Sequence, residues 1–106
     1  MEAGWYNKNS KGKTHPVGLK KPNPWGFFDM LGNVWEWVWD WYGNYLEKMQ
    51  FDPIGPLKMT NYRTMRGGSW VDFAHGCPST RRNIGSPDDR TSNVGFRLSR
   101  SVTLGP

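Results

Sequence analysis

The segment Asp29-Met30-Leu31-Gly32-Asn33-Val34-Trp35-Glu36 holds two carboxylates, a side-chain amide and glycine-loosened carbonyls within eight residues. Calcium takes about six to eight hard oxygens and accepts backbone carbonyls among them, so this set suits it, although the order is not that of an EF-hand. The competing reading is that Asp29 caps a turn and Glu36 meets an arginine. His75 and Cys77 stand two residues apart. A folded loop can make them a thiol–imidazole pair; the alternative is a surface histidine beside a half-buried cysteine. His15 is distant from both, so no Cys/His set has zinc spacing. Ser69 follows Gly67-Gly68, which is not the G-x-S-x-G elbow of a serine hydrolase, and no base can be assigned to it. Those glycines let the backbone pass close to bulky indoles. Arg81-Arg82 is a candidate anion contact or a solvated face. Arg97 is out of phase with Val94, Phe96 and Leu98, which points to a structural pair with Glu36 or Asp40.

The elements that must position these groups are short. The chain has 106 residues, which bounds it to a single domain over 1–106. Hydrophobic residues make up 36%, and seven Trp, five Phe and four Tyr supply most of the area available for a core. Thirteen Gly and eight Pro argue for turns and loops and against a helical bundle. Residues 1–26 read as a loop-rich N-terminal arm that folds over something. Trp35, Trp37, Trp39 and Trp41 recur at the strand period, so one face is expected to be a row of indoles and the other to carry Val34, Glu36, Val38 and Asp40. Asp52-Pro53-Ile54-Gly55-Pro56 predicts a turn. Residues 62–70 predict a strand ending at Gly67-Gly68, 72–93 a long polar loop with one short helix, and 93–99 a closing strand.

The net charge of +5 is set by lysines near the start and arginines in the last third, whereas the aromatic residues crowd the acidic middle. Stacking platforms for single strands need both together, so nucleic acid is not the expected partner. No run of about 18 apolar residues predicts a membrane-spanning helix. No export signal is visible, which leaves the cytoplasm as the default expectation. One cysteine excludes an internal disulfide framework.

Taken in order, the motifs resemble a known family. The stretch from Asn23-Pro24-Trp25-Gly26-Phe27-Phe28-Asp29 to Gly32-Asn33-Val34-Trp35-Glu36-Trp37 is similar to the signature of the formylglycine-generating enzymes, or sulfatase-modifying factors. Arg66-Gly67-Gly68-Ser69-Trp70 resembles their second signature. Arg81-Arg82, Pro87 and Gly95-Phe96-Arg97 follow the order of the third, and Thr14-His15-Pro16-Val17-Gly18 resembles the usual lead-in. The resemblance implies an α+β, C-type-lectin-like fold, low in regular secondary structure, with short antiparallel strands and long loops. It also implies that the chain is truncated, matching the C-terminal portion of the usual domain.

The family's oxidases bind copper(I) through two cysteines and convert a sulfatase cysteine to formylglycine. Cys77 matches the later cysteine, Asp72 the earlier, and Ser69 a serine lining that site. One thiolate and one carboxylate suit copper(I) poorly. A family calcium site matches Asp29 and Glu36 by side chain and Gly32 and Val34 by carbonyl. Other members are ligand-binding variable proteins. In that reading the 72–93 loop is the binding surface, with Asp72, His75, Arg81, Arg82, Asn83 and Ser86 upon it. The expected function is therefore a non-catalytic binding module for a protein or small-molecule ligand. The alternatives are a copper oxidase using Cys77 and Ser69, and a structural dimer. The indole row favours a homodimer, with the N-terminal arm exchanged between subunits.

Overall fold

A computed structural model describes residues 3–44, 55–56, 58–76 and 79–100. Four strands form one sheet in the order β3-β2-β1-β4. They are β1 (Trp35–Trp41), β2 (Arg63–Arg66), β3 (Arg82–Gly85) and β4 (Val94–Gly95). β1 and β2 run antiparallel, as do β2 and β3, whereas β4 runs parallel to β1. A single 3-10 turn, Ala74–Gly76, is the helical element among the described residues. The protein is small, sheet-dominated and poor in helix, and none of its described helices is long and apolar enough to cross a membrane.

The tryptophan alternation makes β1 a strand, as its period requires. It does not make a continuous row of indoles. Glu36 pairs with Arg66 and Trp37 with Met65, but Trp41 pairs with Arg63, so β1 carries two more residues than β2 over this interval. The irregularity breaks the ladder and re-aims the side chains beyond it. Trp35 is 3% exposed, while Trp39 is 83% exposed. Arg63 fills the gap: its guanidinium lies 3.7 Å over the Trp41 ring and 5.2 Å from that of Trp39, and it donates to the Trp39 carbonyl. Trp37 stays in register and spreads over Gly85, where an added Cβ would sit 2.7 Å from the indole.

Two expectations about the last third need correction. Residues 72–93 are not one loop, because β3 lies within them and pairs along its whole length with β2. The expected closing strand over 93–99 is paired at Val94 and Gly95 alone, and in parallel rather than antiparallel sense. The predicted turn at 52–56 lies largely outside the described residues.

The N-terminal arm folds over its own chain. Asn7 N donates to Asp72 O, Ser10 Oγ to Trp70 O, and Asn33 N to Trp5 O. The Trp5 and His15 rings stack at 3.7 Å, and the Lys20 ammonium sits 4.2 Å over Trp5. Tyr6, Trp35 and Met65 are the buried hydrophobic residues of the described core.

Candidate functional site

Two polar constellations flank the start of β1. The first is centred on Asp72. Its Oδ2 accepts from Trp35 Nε1 at 2.9 Å, from Ser69 N at 2.9 Å and from Ser69 Oγ at 2.7 Å. Three donors converging on one carboxylate oxygen are charge-assisted bonds, stronger than neutral ones. They tie the Gly67-Gly68-Ser69 turn to the buried end of the indole strand. Ser69 is fully buried, and its hydroxyl proton points at Asp72. Ser69, expected as a catalytic residue, is held by Asp72 through both its amide and its hydroxyl. Asp72, expected on the ligand-binding surface, is half-buried and engaged with Trp35 and Ser69.

The second constellation is centred on Arg97. Its Nε donates to Glu36 Oε1 at 2.7 Å and its Nη2 to Glu36 Oε2 at 3.0 Å. Nη1 donates to Phe28 O at 2.9 Å, and Nη2 also to Asp29 O at 2.8 Å. This fork is the bidentate geometry in which arginine exceeds lysine. The hydrogen bond that Arg97 donates to Glu36, and the charges of Glu36 and Asp29, hold the guanidinium pKa above its ordinary value against the lowering effect of burial. The structural pairing read from the phase of Arg97 is thus found with Glu36.

Three of the four expected calcium ligands, Asp29, Val34 and Glu36, line one groove. Asp29 is 4% exposed, at φ 53°. Its Oδ2 accepts from Gly18 N at 2.8 Å, while Oδ1 is buried with no hydrogen-bond partner. Glu36 faces Arg97 with both oxygens. Gly32 N donates to Gly67 O, and the Val34 side chain packs close to Gly95. The amide of Asn33 belongs to the arm: Oδ1 accepts from His15 N and Nδ2 donates to His15 O, both at 3.0 Å. Among the described residues no three His, Cys, Asp or Glu gather into a metal-binding group.

The remaining predicted residues are spread along the β3 side. His75 is exposed in the 3-10 turn, with its ring 5.6 Å from that of Phe73. Arg81, Asn83 and Ile84 are exposed, and Ser86 is half-buried. Arg82, expected to contact ligand, donates to Gly43 O at 2.7 Å and lies 4.7 Å over Tyr42. It holds β3 to the chain beyond β1. Cys77 lies outside the described residues.

Sequence reasoning missed Asn33 as the anchor of the arm and Arg63 as the filler between two indoles. Asn33 had a signal, since an asparagine after glycine readily takes positive φ, and here φ is 66°. Arg63 had none, because the bulge that makes room for it is not written in the alternation.

The chain is similar to known proteins in sequence and fold. The model of the sulfatase-modifying factor enzyme 1-like domain matches residues 2–102. Treponema denticola variable protein 1 superposes with a TM-score of 0.82 at 42% identity, covering 90% of this chain and 34% of that one. The formylglycine-generating enzyme of Streptomyces coelicolor is 36% identical over 96 residues, 86% of this chain and 30% of the enzyme. The serine/threonine-protein kinase pkn1 of Chlamydia pneumoniae is 36% identical over 84 residues, 76% of this chain and 14% of the kinase. The chain therefore spans less than a third of the length of these two curated relatives.

Proposed function

We propose a function from one premise: the chain belongs to the sulfatase-modifying factor enzyme 1-like domain family. It is a non-catalytic binding module of C-type-lectin-like architecture, and its binding surface lies on the 72–93 segment, where His75, Arg81 and Asn83 are exposed. The observation that carries this reading is the Asp72 brace. Where the resemblance sets a copper-binding thiol, this chain has a hard carboxylate that already accepts three hydrogen bonds. Copper(I) prefers soft thiolates, and the residues present do not fit it. With Asp72 so held, the segment carries His75, Arg81 and Asn83 on a positioned support rather than on a free loop.

A random peptide library selected against the chain tests this. Binders are expected to lose at least about tenfold in affinity when His75, Arg81 and Asn83 are all replaced by alanine, the 1.4 kcal/mol that a few lost side-chain contacts amount to. Binders should be unaffected by Lys11→Ala. Selected peptides that ignore the triple variant would remove this surface from the account.

We also propose that Asp29 binds calcium, together with the carbonyls of Gly32 and Val34. The unpartnered, buried Asp29 Oδ1 supports this, because a buried carboxylate oxygen without a donor is costly unless a cation faces it. Glu36, held by Arg97, contributes charge rather than a free ligand oxygen. Calcium at about a hundred times its Kd should then add about 2.7 kcal/mol of stability. The expected result is a higher melting temperature in calcium than in chelator for the native chain, and no difference for Asp29→Asn. Equal melting of the native chain in both conditions would end the calcium reading.

A further inference from the structure

Arg97 makes more bonds than an ion pair requires. The edge of its guanidinium formed by Nε and Nη2 meets Glu36. The other edge, formed by Nη1 and the second proton of Nη2, meets two successive main-chain carbonyls, Phe28 O and Asp29 O. One planar side chain thus joins a carboxylate on β1 to the backbone of the segment before it.

Those two carbonyls belong to the peptide groups on either side of the Asp29 Cα. Each peptide group is planar, so two dihedral angles set the whole backbone geometry of a residue. Fixing both planes therefore fixes both angles of Asp29. The residue needs that hold. Its φ of 53° lies in the left-handed region, which a side chain occupies only when its surroundings impose it. The side chain is gripped separately, because Gly18 N donates to Oδ2. With backbone and one oxygen both fixed, the direction of Oδ1 is fixed too, and Oδ1 is the buried oxygen without a donor.

We propose that Arg97 is a positioning residue for the cation site at Asp29, which it serves by holding the peptide planes on both sides of that residue. The inference rests on the calcium reading of Asp29 given above. Arg97 itself donates and offers no ligand oxygen. A guanidinium beside a calcium ion would oppose its binding, and the two-oxygen contact with Glu36 offsets that charge. Glu36 therefore has a part in the site without facing the metal.

Position and charge are separated by Arg97→Lys. Lysine keeps a positive charge for Glu36, but its single ammonium lacks the planar fork that reaches Glu36 and both carbonyls. The test is calcium affinity, read by competition with a chromophoric chelator on chains shown to be folded by near-ultraviolet circular dichroism. The native chain is expected to bind, and Arg97→Lys to bind at least about tenfold more weakly. Arg63→Lys takes another arginine from a backbone carbonyl, that of Trp39, and should leave the affinity unchanged. A second readout uses the native chain alone. Exchange of the Arg97 Nε–H, followed by nuclear magnetic resonance, should slow when calcium is added, because the fork persists in the bound state.

Equal binding by the native chain and Arg97→Lys would overturn the positioning role and leave the calcium site standing. Faster exchange of the Nε–H on adding calcium would also overturn it, because the metal would then be displacing Arg97. A native chain that binds no calcium would remove the Asp29 site, and this inference with it.

Discussion

Gly32→Ala is expected to cost about 3–5 kcal/mol and to release the N-terminal arm. Two independent terms add at this position. Gly32 has φ +80°, where a side chain costs about 1–2 kcal/mol. An added Cβ would also stand 2.5 Å from Trp5 O and 2.7 Å from Trp5 N, both backbone atoms. No rotamer change relieves that approach, so the arm must move. Movement breaks the Asn33 N to Trp5 O bond and the two bonds between the Asn33 amide and His15. Hydrogen bonds of this kind contribute about 0.5–1.5 kcal/mol each. The loss is large beside the 5–15 kcal/mol that typically stabilises a domain. Urea unfolding followed by tryptophan fluorescence reports the total, and hydrogen exchange at residues 4–15 reports the arm. Unchanged protection there would mean that the arm is not seated by this glycine.

Asp72→Ala should cost about 3 kcal/mol. Removing the carboxylate orphans the Trp35 indole N–H, the Ser69 amide and the Ser69 hydroxyl together. A buried donor left unpaired costs about 1–3 kcal/mol, and Ser69 is fully buried. The three do not add fully, because the 67–72 turn can relax toward solvent. Asp72→Asn keeps one acceptor oxygen and loses the charge assistance, so about 1 kcal/mol is expected. The ordering native, Asn, Ala is the signature of a brace, and thermal unfolding of the three chains measures it. A native-like Asp72→Ala would show that the three bonds contribute nothing.

Legibility in the sequence followed the range of the interaction. The β1 strand was readable because its period is local, and a carboxylate partner for Arg97 because Arg97 falls out of phase with its apolar neighbours; the choice of Glu36 over Asp40 was not. The bulge was not readable, since it depends on how Arg63 and Met65 pair across from β1. β3 was missed because Arg82-Asn83-Ile84-Gly85 has the composition of a loop; it is an edge strand held by β2 and by Arg82 on Gly43 and Tyr42. The closing strand was overread for the opposite reason, because its alternation is present while among the described residues no strand pairs with 96–99. At the site, the Asp72 position was visible as a departure from the copper-binding pattern. Its role was not, because Trp35 lies 37 residues away and only the folded chain brings them together.

The central proposal is that Asp72, braced by Trp35 and Ser69, takes the position that the resemblance gives to a copper-binding thiol of the family's oxidases. The most direct test is a copper(I) titration against a competing chelator, comparing the native chain with Cys77→Ser. Asp72 is engaged by Trp35 and Ser69, and one remaining thiol is a poor copper(I) site, so both chains are expected to leave the metal with the chelator. Tight binding by the native chain that disappears in Cys77→Ser would contradict the account and restore the oxidase.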